Sequence, residues 1–79
     1  MERLVFNTAE HKLEELEKYG FVKYGNEYMR HAKNYYETHI YINSNGNVFL
    51  SYYESTSIDE ALCILYDLIK DGLVVKEKK

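Results

Sequence analysis

The sequence predicts an α+β domain of element order α-β-β-β-α, an antiparallel three-stranded sheet with two helices packed on one face. Three observations carry that prediction. Residues 35–53, YYETHIYINSNGNVFLSYY, set two runs of β-branched and aromatic residues on either side of an Asn45-Gly46 step. This is the strongest short-range hairpin signal a sequence carries. A stretch of helical period precedes the hairpin and another follows it, and each ends in a glycine with an apolar residue behind it, Gly20-Phe21 and Gly72-Leu73. Residues 21–33 between the first helix and the hairpin have strand composition. Two amphipathic helices need an apolar surface, and one face of the hairpin offers it.

Taken in order, Met1 to Phe6 fits an edge strand or a helix lead-in equally well. Asn7 and Thr8 are N-cap candidates, with Glu10 in capping-box position. Ala9, Leu13 and Leu16 then recur at helical spacing, and Glu14 and Lys18 form an i,i+4 pair with the acid N-terminal. Gly20 is expected as the left-handed residue after the helix, with Phe21 folded back over Leu16. Residues 21–33 break at Gly25-Asn26, either a bulge in one long strand or a tight turn between two short ones. Lys33-Asn34 is the expected turn into the hairpin.

The hairpin has two possible registers. A two-residue Asn45-Gly46 loop sets Ile42 opposite Phe49. A three-residue loop, with Ser44-Asn45 in a type I turn and Gly46 left-handed as a G1 bulge, sets Ile42 opposite Val48, Ile40 opposite Leu50 and Thr38 opposite Tyr52. A slip of one residue turns every side chain over. The bulged register gathers four aliphatics on one face, each contributing up to about 1.5–3 kcal/mol on burial, so it is the one predicted.

After the hairpin, Ser57 to Glu60 is a capping box with acids in the first turn. On a helical wheel Ile58, Ala61, Leu62, Leu65, Leu68 and Ile69 share one stripe, with Cys63, Asp67 and Lys70 opposite. Gly72 repeats the ending of the first helix, with Leu73 over Leu68. Val74-Val75 is a candidate short strand, and residues 76–79 form a charged, solvated tail. Tyr52 and Tyr66 are expected in or beside the main core.

The totals bound the function. Seventy-nine residues make a single small domain, residues 1–79, and a chain of this size buries only about 60% of its unfolded surface. Hydrophobic content of 46% with 29% charged residues is that of a folded domain. A net charge of −3 and a pI near 5.5 remove the simplest electrostatic case for nucleic acid. No run approaches the length of a membrane span and no secretory signal pattern opens the chain. A single cysteine allows no internal disulfide, and a reducing, cytoplasmic setting fits best.

The chemistry of catalysis is missing. His11, His31 and His39 fall in different elements without metal-ligand spacing, and His11 with Glu15 reads as an ordinary pair on a helix surface. Cys63 has no cationic surroundings to lower its thiol pKa. The four glycines are all explained by turns and caps. The reading is therefore a non-enzyme with no cofactor and no metal.

Tyrosine is the compositional outlier, at nine residues with no tryptophan. In the bulged register Tyr35, Glu37, His39, Tyr41, Phe49 and Tyr53 lie on the sheet face away from the aliphatics, and an antiparallel sheet can leave that face wet. Tyrosine buries a large rigid area at low entropic cost and is enriched at binding hot spots. These six residues are the candidate binding site, for a protein partner or a second copy of the chain. The bland alternative is that the N-terminal segment or the tail covers this face. A second functional reading is nucleic-acid binding, since α-β-β-β-α is the order of the double-stranded-RNA-binding domain and exposed aromatics stack bases. The start of the last helix, Ser57-Ile58-Asp59-Glu60, is acidic where that fold is basic, which opposes it.

Leu16 to Phe21 (LEKYGF), the tyrosine-rich hairpin and Ile58 to Val75 together resemble small phage and prophage proteins of Gram-positive bacteria. The element order and the acidic, tyrosine-bearing surface are also similar to some small anti-CRISPR inhibitors, which block a nuclease by occupying its nucleic-acid site. The resemblance implies a phage or mobile-element accessory or inhibitor protein that acts by protein–protein contact. It carries over no binding residue.

Overall fold

The structure, a computed structural model, describes residues 3–33, 38–51 and 58–77. It is a small α+β fold with two helices and antiparallel sheets. In chain order the elements are β1 (Leu4–Phe6), a 3-10 helix (Leu13–Tyr19), β2 (Val22–Tyr24), β3 (Glu27–His31), β4 (His39–Ile42), β5 (Val48–Ser51), α1 (Ile58–Lys70) and β6 (Val74–Lys76). The main sheet has four strands in the order β2-β3-β4-β5, and β1 pairs with β6 in a two-stranded ribbon. The predicted three-stranded sheet and α-β-β-β-α order are corrected by this.

The extra strand comes from Gly25-Asn26. That pair is a tight turn, with Tyr24 opposite Glu27 and Val22 opposite Met29, so residues 22–31 form a hairpin of their own.

The first helix also differs from its prediction. It is a 3-10 helix that starts after Lys12, and Asn7 does not cap it. Instead the Asn7 carbonyl accepts the His11 N–H at 3.0 Å and closes a turn. The Asn7 N–H donates to the Leu73 carbonyl at 2.7 Å and its Nδ2 donates to the Gly72 carbonyl at 3.1 Å. Asn7 thus ties the N-terminal segment to the end of α1, and Ala9 is left exposed. A 3-10 helix aligns residues three apart along one edge. Leu13, Leu16 and Tyr19 have that spacing and all three pack on the core, Leu16 completely buried. At the end of the helix the Gly20 N–H bonds the Glu17 carbonyl and the Phe21 N–H bonds the Leu16 carbonyl, both at 3.2 Å. Phe21 is buried as predicted, and Gly72 and Leu73 repeat the arrangement on Ile69 and Leu68.

The β4–β5 hairpin takes the bulged register: Ile42 opposite Val48, Tyr41 opposite Phe49, Ile40 opposite Leu50, His39 opposite Ser51. Gly46 is left-handed at φ +84° and its N–H bonds the Asn43 carbonyl at 2.9 Å. The Asn43 side-chain oxygen accepts the N–H groups of Asn45 and Asn47, each at 3.0 Å, which holds the turn from inside. The expected Thr38–Tyr52 pairing lies partly outside the described residues. β1 attaches at this turn, with the Phe6 N–H on the Gly46 carbonyl at 2.8 Å and Val5 bridged to Asn47.

The core lies between the inner face of the main sheet, the 3-10 helix, α1 and the β1–β6 ribbon. Ile40, Ile42, Tyr28, Leu16, Leu68 and Val74 are its most buried members. α1 buries Ala61, Ile64, Leu65 and Leu68. Leu62 and Ile69, predicted in the stripe, are 45% and 43% exposed, and Tyr66, predicted near the core, is 63% exposed. At about 100° per residue the buried stripe is turned roughly 60° from the predicted one. Ile64 takes the place in the core that the pattern gave to Leu62 and Ile69, on a helix that also contacts β6. Cys63 is exposed. Lys76, expected in a solvated tail, closes β6 opposite Leu4, and the Glu77 carboxylate pairs with Arg3 at 2.9 Å.

Candidate interface on the outer face of the sheet

Strand parity divides the main sheet cleanly. Ile40, Ile42, Val48, Leu50, Tyr28 and Arg30 share the inner face by register, and the remaining positions alternate outward. One outward row crosses all four strands, Val22 opposite Met29, Met29 opposite Tyr41, and Tyr41 opposite Phe49. At one end of it stand Tyr24 and Glu27, and at the other His31, His39 and Ser51.

This row is apolar, and its two ends are half in water. Val22 is 55% exposed and Phe49 50%, with Met29 and Tyr41 half-buried between them. The Tyr41 and Phe49 rings lie 5.9 Å apart and tilted, within the range of attractive aromatic pairs. A hydrogen bond from the Tyr41 hydroxyl to the Glu27 carboxylate, with burial and the carboxylate charge adding to it, holds the phenol above its ordinary pKa.

The outer positions of the four described strands include no lysine or arginine. Lys23 and Arg30 have inner parity, and the Arg30 guanidinium donates to the Tyr19 carbonyl. The candidate face is thus apolar and aromatic with one carboxylate at its rim.

His39, Tyr41 and Phe49, named from the sequence, are brought together on this face. Tyr35, Glu37 and Tyr53 lie outside the described residues. Sequence reasoning missed Val22, Tyr24, Met29 and His31. The signal for them was the Gly25-Asn26 turn: once read as a two-residue hairpin loop, it fixes the parity of both flanking strands.

No family model, no curated protein and no solved structure matches this chain.

Elsewhere the chemistry is sparse. His11 Nδ1 lies 3.1 Å from the Glu15 carboxylate, whose other oxygen accepts the Lys12 N–H at 2.7 Å. These two bonds, the backbone one first, draw the Glu15 pKa below the usual carboxylate value. Both groups therefore serve the start of the 3-10 helix. The Tyr19 hydroxyl donates to Asp71 at 2.7 Å, which ties that helix to the end of α1 and raises the phenol pKa. Among the described residues no group of three or more His, Cys, Asp or Glu side chains converges, and no helix is long and apolar enough to cross a membrane.

Proposed function

We propose that this protein is a non-enzymatic binding module that docks a protein partner, or a second copy of itself, on the outer face of its main sheet. The observation that supports this most is the Val22–Met29–Tyr41–Phe49 row, an unbroken apolar strip across four strands whose two ends are half in water. Three inter-strand spacings of about 4.8 Å make the strip roughly 15 Å wide, the scale of the central cluster of an interface. An exposed contiguous patch on so small a domain is the usual mark of an interaction site. The resemblance to phage and prophage proteins sets the proposal in a cytoplasmic mobile-element accessory or inhibitor role. Nucleic acid is the weaker candidate, because the described strands give this face no cation to meet a phosphate.

The double substitution Tyr41→Ser with Phe49→Ser removes the centre of the strip and leaves Ile40, Ile42, Val48 and Leu50 in place. Lost cross-strand contacts should cost only about 0.2–1 kcal/mol per pair, so the fold survives. Self-association by sedimentation, or affinity for a partner captured from lysate, should fall by about 2 kcal/mol or more. Unchanged association in a folded double variant refutes the assignment. Retention on heparin at low salt that the double variant abolishes would move the face to nucleic acid.

A further inference from the structure

At the end of the outer face, beyond the apolar strip, two histidines stand directly opposite each other. His31 of β3 pairs with His39 of β4. The Ala32 N–H donates to the Thr38 carbonyl at 2.7 Å, so the next pair along is the hydrogen-bonded one. The His31–His39 pair is consequently of the non-hydrogen-bonded kind, whose side chains approach most closely. Their ring centroids are 5.4 Å apart with the planes at 65°.

That separation has a chemical meaning. Two imidazoles that share one tetrahedral ion, each bound through nitrogen at about 2.0–2.1 Å, hold their centroids roughly 5–5.5 Å apart. The observed separation of the two rings falls in that range. Nδ1 of His39 is buried and has no hydrogen-bond partner, a ring nitrogen whose bonding capacity the protein does not meet. Ser51, opposite His39 on β5, lies on the same face. No lysine or arginine occupies an outer position of the four described strands, so no fixed cation there repels an incoming ion.

We propose that His31 and His39 form a two-histidine site for a divalent transition metal ion, Zn2+, Ni2+ or Cu2+. Each ring gives one nitrogen and water completes the coordination shell; imidazole donors select these ions over Mg2+ and Ca2+. The site clips β3 to β4 and is independent of the docking role of the apolar strip. The unfolded chain does not pre-organise the two rings, so the ion binds the folded state preferentially and stabilises it.

The test titrates the metal-free full chain with Zn2+, and separately Cu2+, by calorimetry. One ion per chain is expected, with His31→Gln and His39→Gln each weakening binding by about tenfold or more. His11→Gln should leave the affinity unchanged, and Zn2+ should raise the Tm of the native chain but not that of the His39→Gln chain. In case either glutamine variant fails to fold, the imidazole carbon-proton NMR signals of the native chain decide: those of His31 and His39 should shift together on adding Zn2+. Absence of saturable one-to-one binding overturns the site. So does binding that survives loss of His31 or His39, and so does loss of binding in His11→Gln, which would move the ion to the His11–Glu15 pair.

Discussion

Replacing Gly46 by alanine should destabilise the protein by about 1–2 kcal/mol, the cost of a Cβ in left-handed backbone. Gly46 is at φ +84°, and an added Cβ would meet Thr8 Cγ2 at 3.5 Å and the Phe6 Cβ and carbonyl oxygen at 3.6 Å. These are ordinary contact distances, so no steric penalty adds to the backbone cost. The change alone does not identify the register, because a two-residue Asn45-Gly46 loop would also hold Gly46 left-handed. Asn45 separates the two. In the alternative loop Asn45 is left-handed as well, whereas among the described residues none but glycine has positive φ. What Asn45 gives the turn is its backbone N–H, bonded to the Asn43 side-chain oxygen, and alanine keeps that. Asn45→Ala should therefore stay within about 0.5 kcal/mol while Gly46→Ala does not. In thermal unfolding each kcal/mol appears as about 4–8 °C for a chain of this length. Equal losses at both positions would put Ile42 opposite Phe49 and overturn the face assignment; a neutral Gly46→Ala would refute a left-handed Gly46, and with it both loops.

Three further outcomes follow from the packing and the charges. Leu68→Ala, at a completely buried position, should cost about 2–5 kcal/mol in urea unfolding, and Leu62→Ala, 45% exposed, under about 1 kcal/mol; equal costs would mean that α1 is covered on its Leu62 flank. Asn43→Ala, which leaves the half-buried Asn47 N–H without its acceptor, should cost about 1–3 kcal/mol. Glu15 has a lowered pKa in the folded state, so its contribution is present above the ordinary carboxyl value and is lost as pH falls through the lowered one. Glu15→Gln should therefore narrow the difference in urea midpoint between neutral pH and pH 3, and an unchanged difference would remove Glu15 from the acid response.

What the sequence made legible was local. The hairpin turn could be read because Asn43 to Asn47 carry their own turn chemistry, and the Gly20-Phe21 and Gly72-Leu73 endings because each closes within six residues. Spacing misled where two periods coincide. Leu13 and Leu16 suit a 3-10 edge as well as an α-helical face, and Tyr19, three further on, was the residue that favoured the former. In α1 the pattern could not choose between flanks, since Leu62 and Ile69 are as apolar as Ile64. The helix also meets β6, which pairs with a strand about 70 residues earlier, a contact that no local pattern announces. The candidate site was half legible for the same reason. His39, Tyr41 and Phe49 followed from the hairpin; their neighbours Val22, Met29 and His31 depended on whether Gly25-Asn26 was a bulge or a turn.

The turn at Asn43–Asn47 sets the core and the candidate site by a single choice. With Gly46 as the bulge, Ile40 and Ile42 point inward and His39 and Tyr41 outward; one residue of slip would bury an imidazole and a phenol and expose two completely buried isoleucines. At about 1.5–3 kcal/mol for each isoleucine, that exchange alone is a large part of the stability of a domain this small. The N-terminal strand then reads the register from outside. The Phe6 N–H bonds the carbonyl of the left-handed Gly46 itself, and Phe6 is buried in the core beneath it. A slipped hairpin would therefore also lose its anchorage to β1 and, through β1, to β6 and α1. The register of the outer row is thus set by the Asn43–Asn47 turn and by the groups packed on the other side of the sheet.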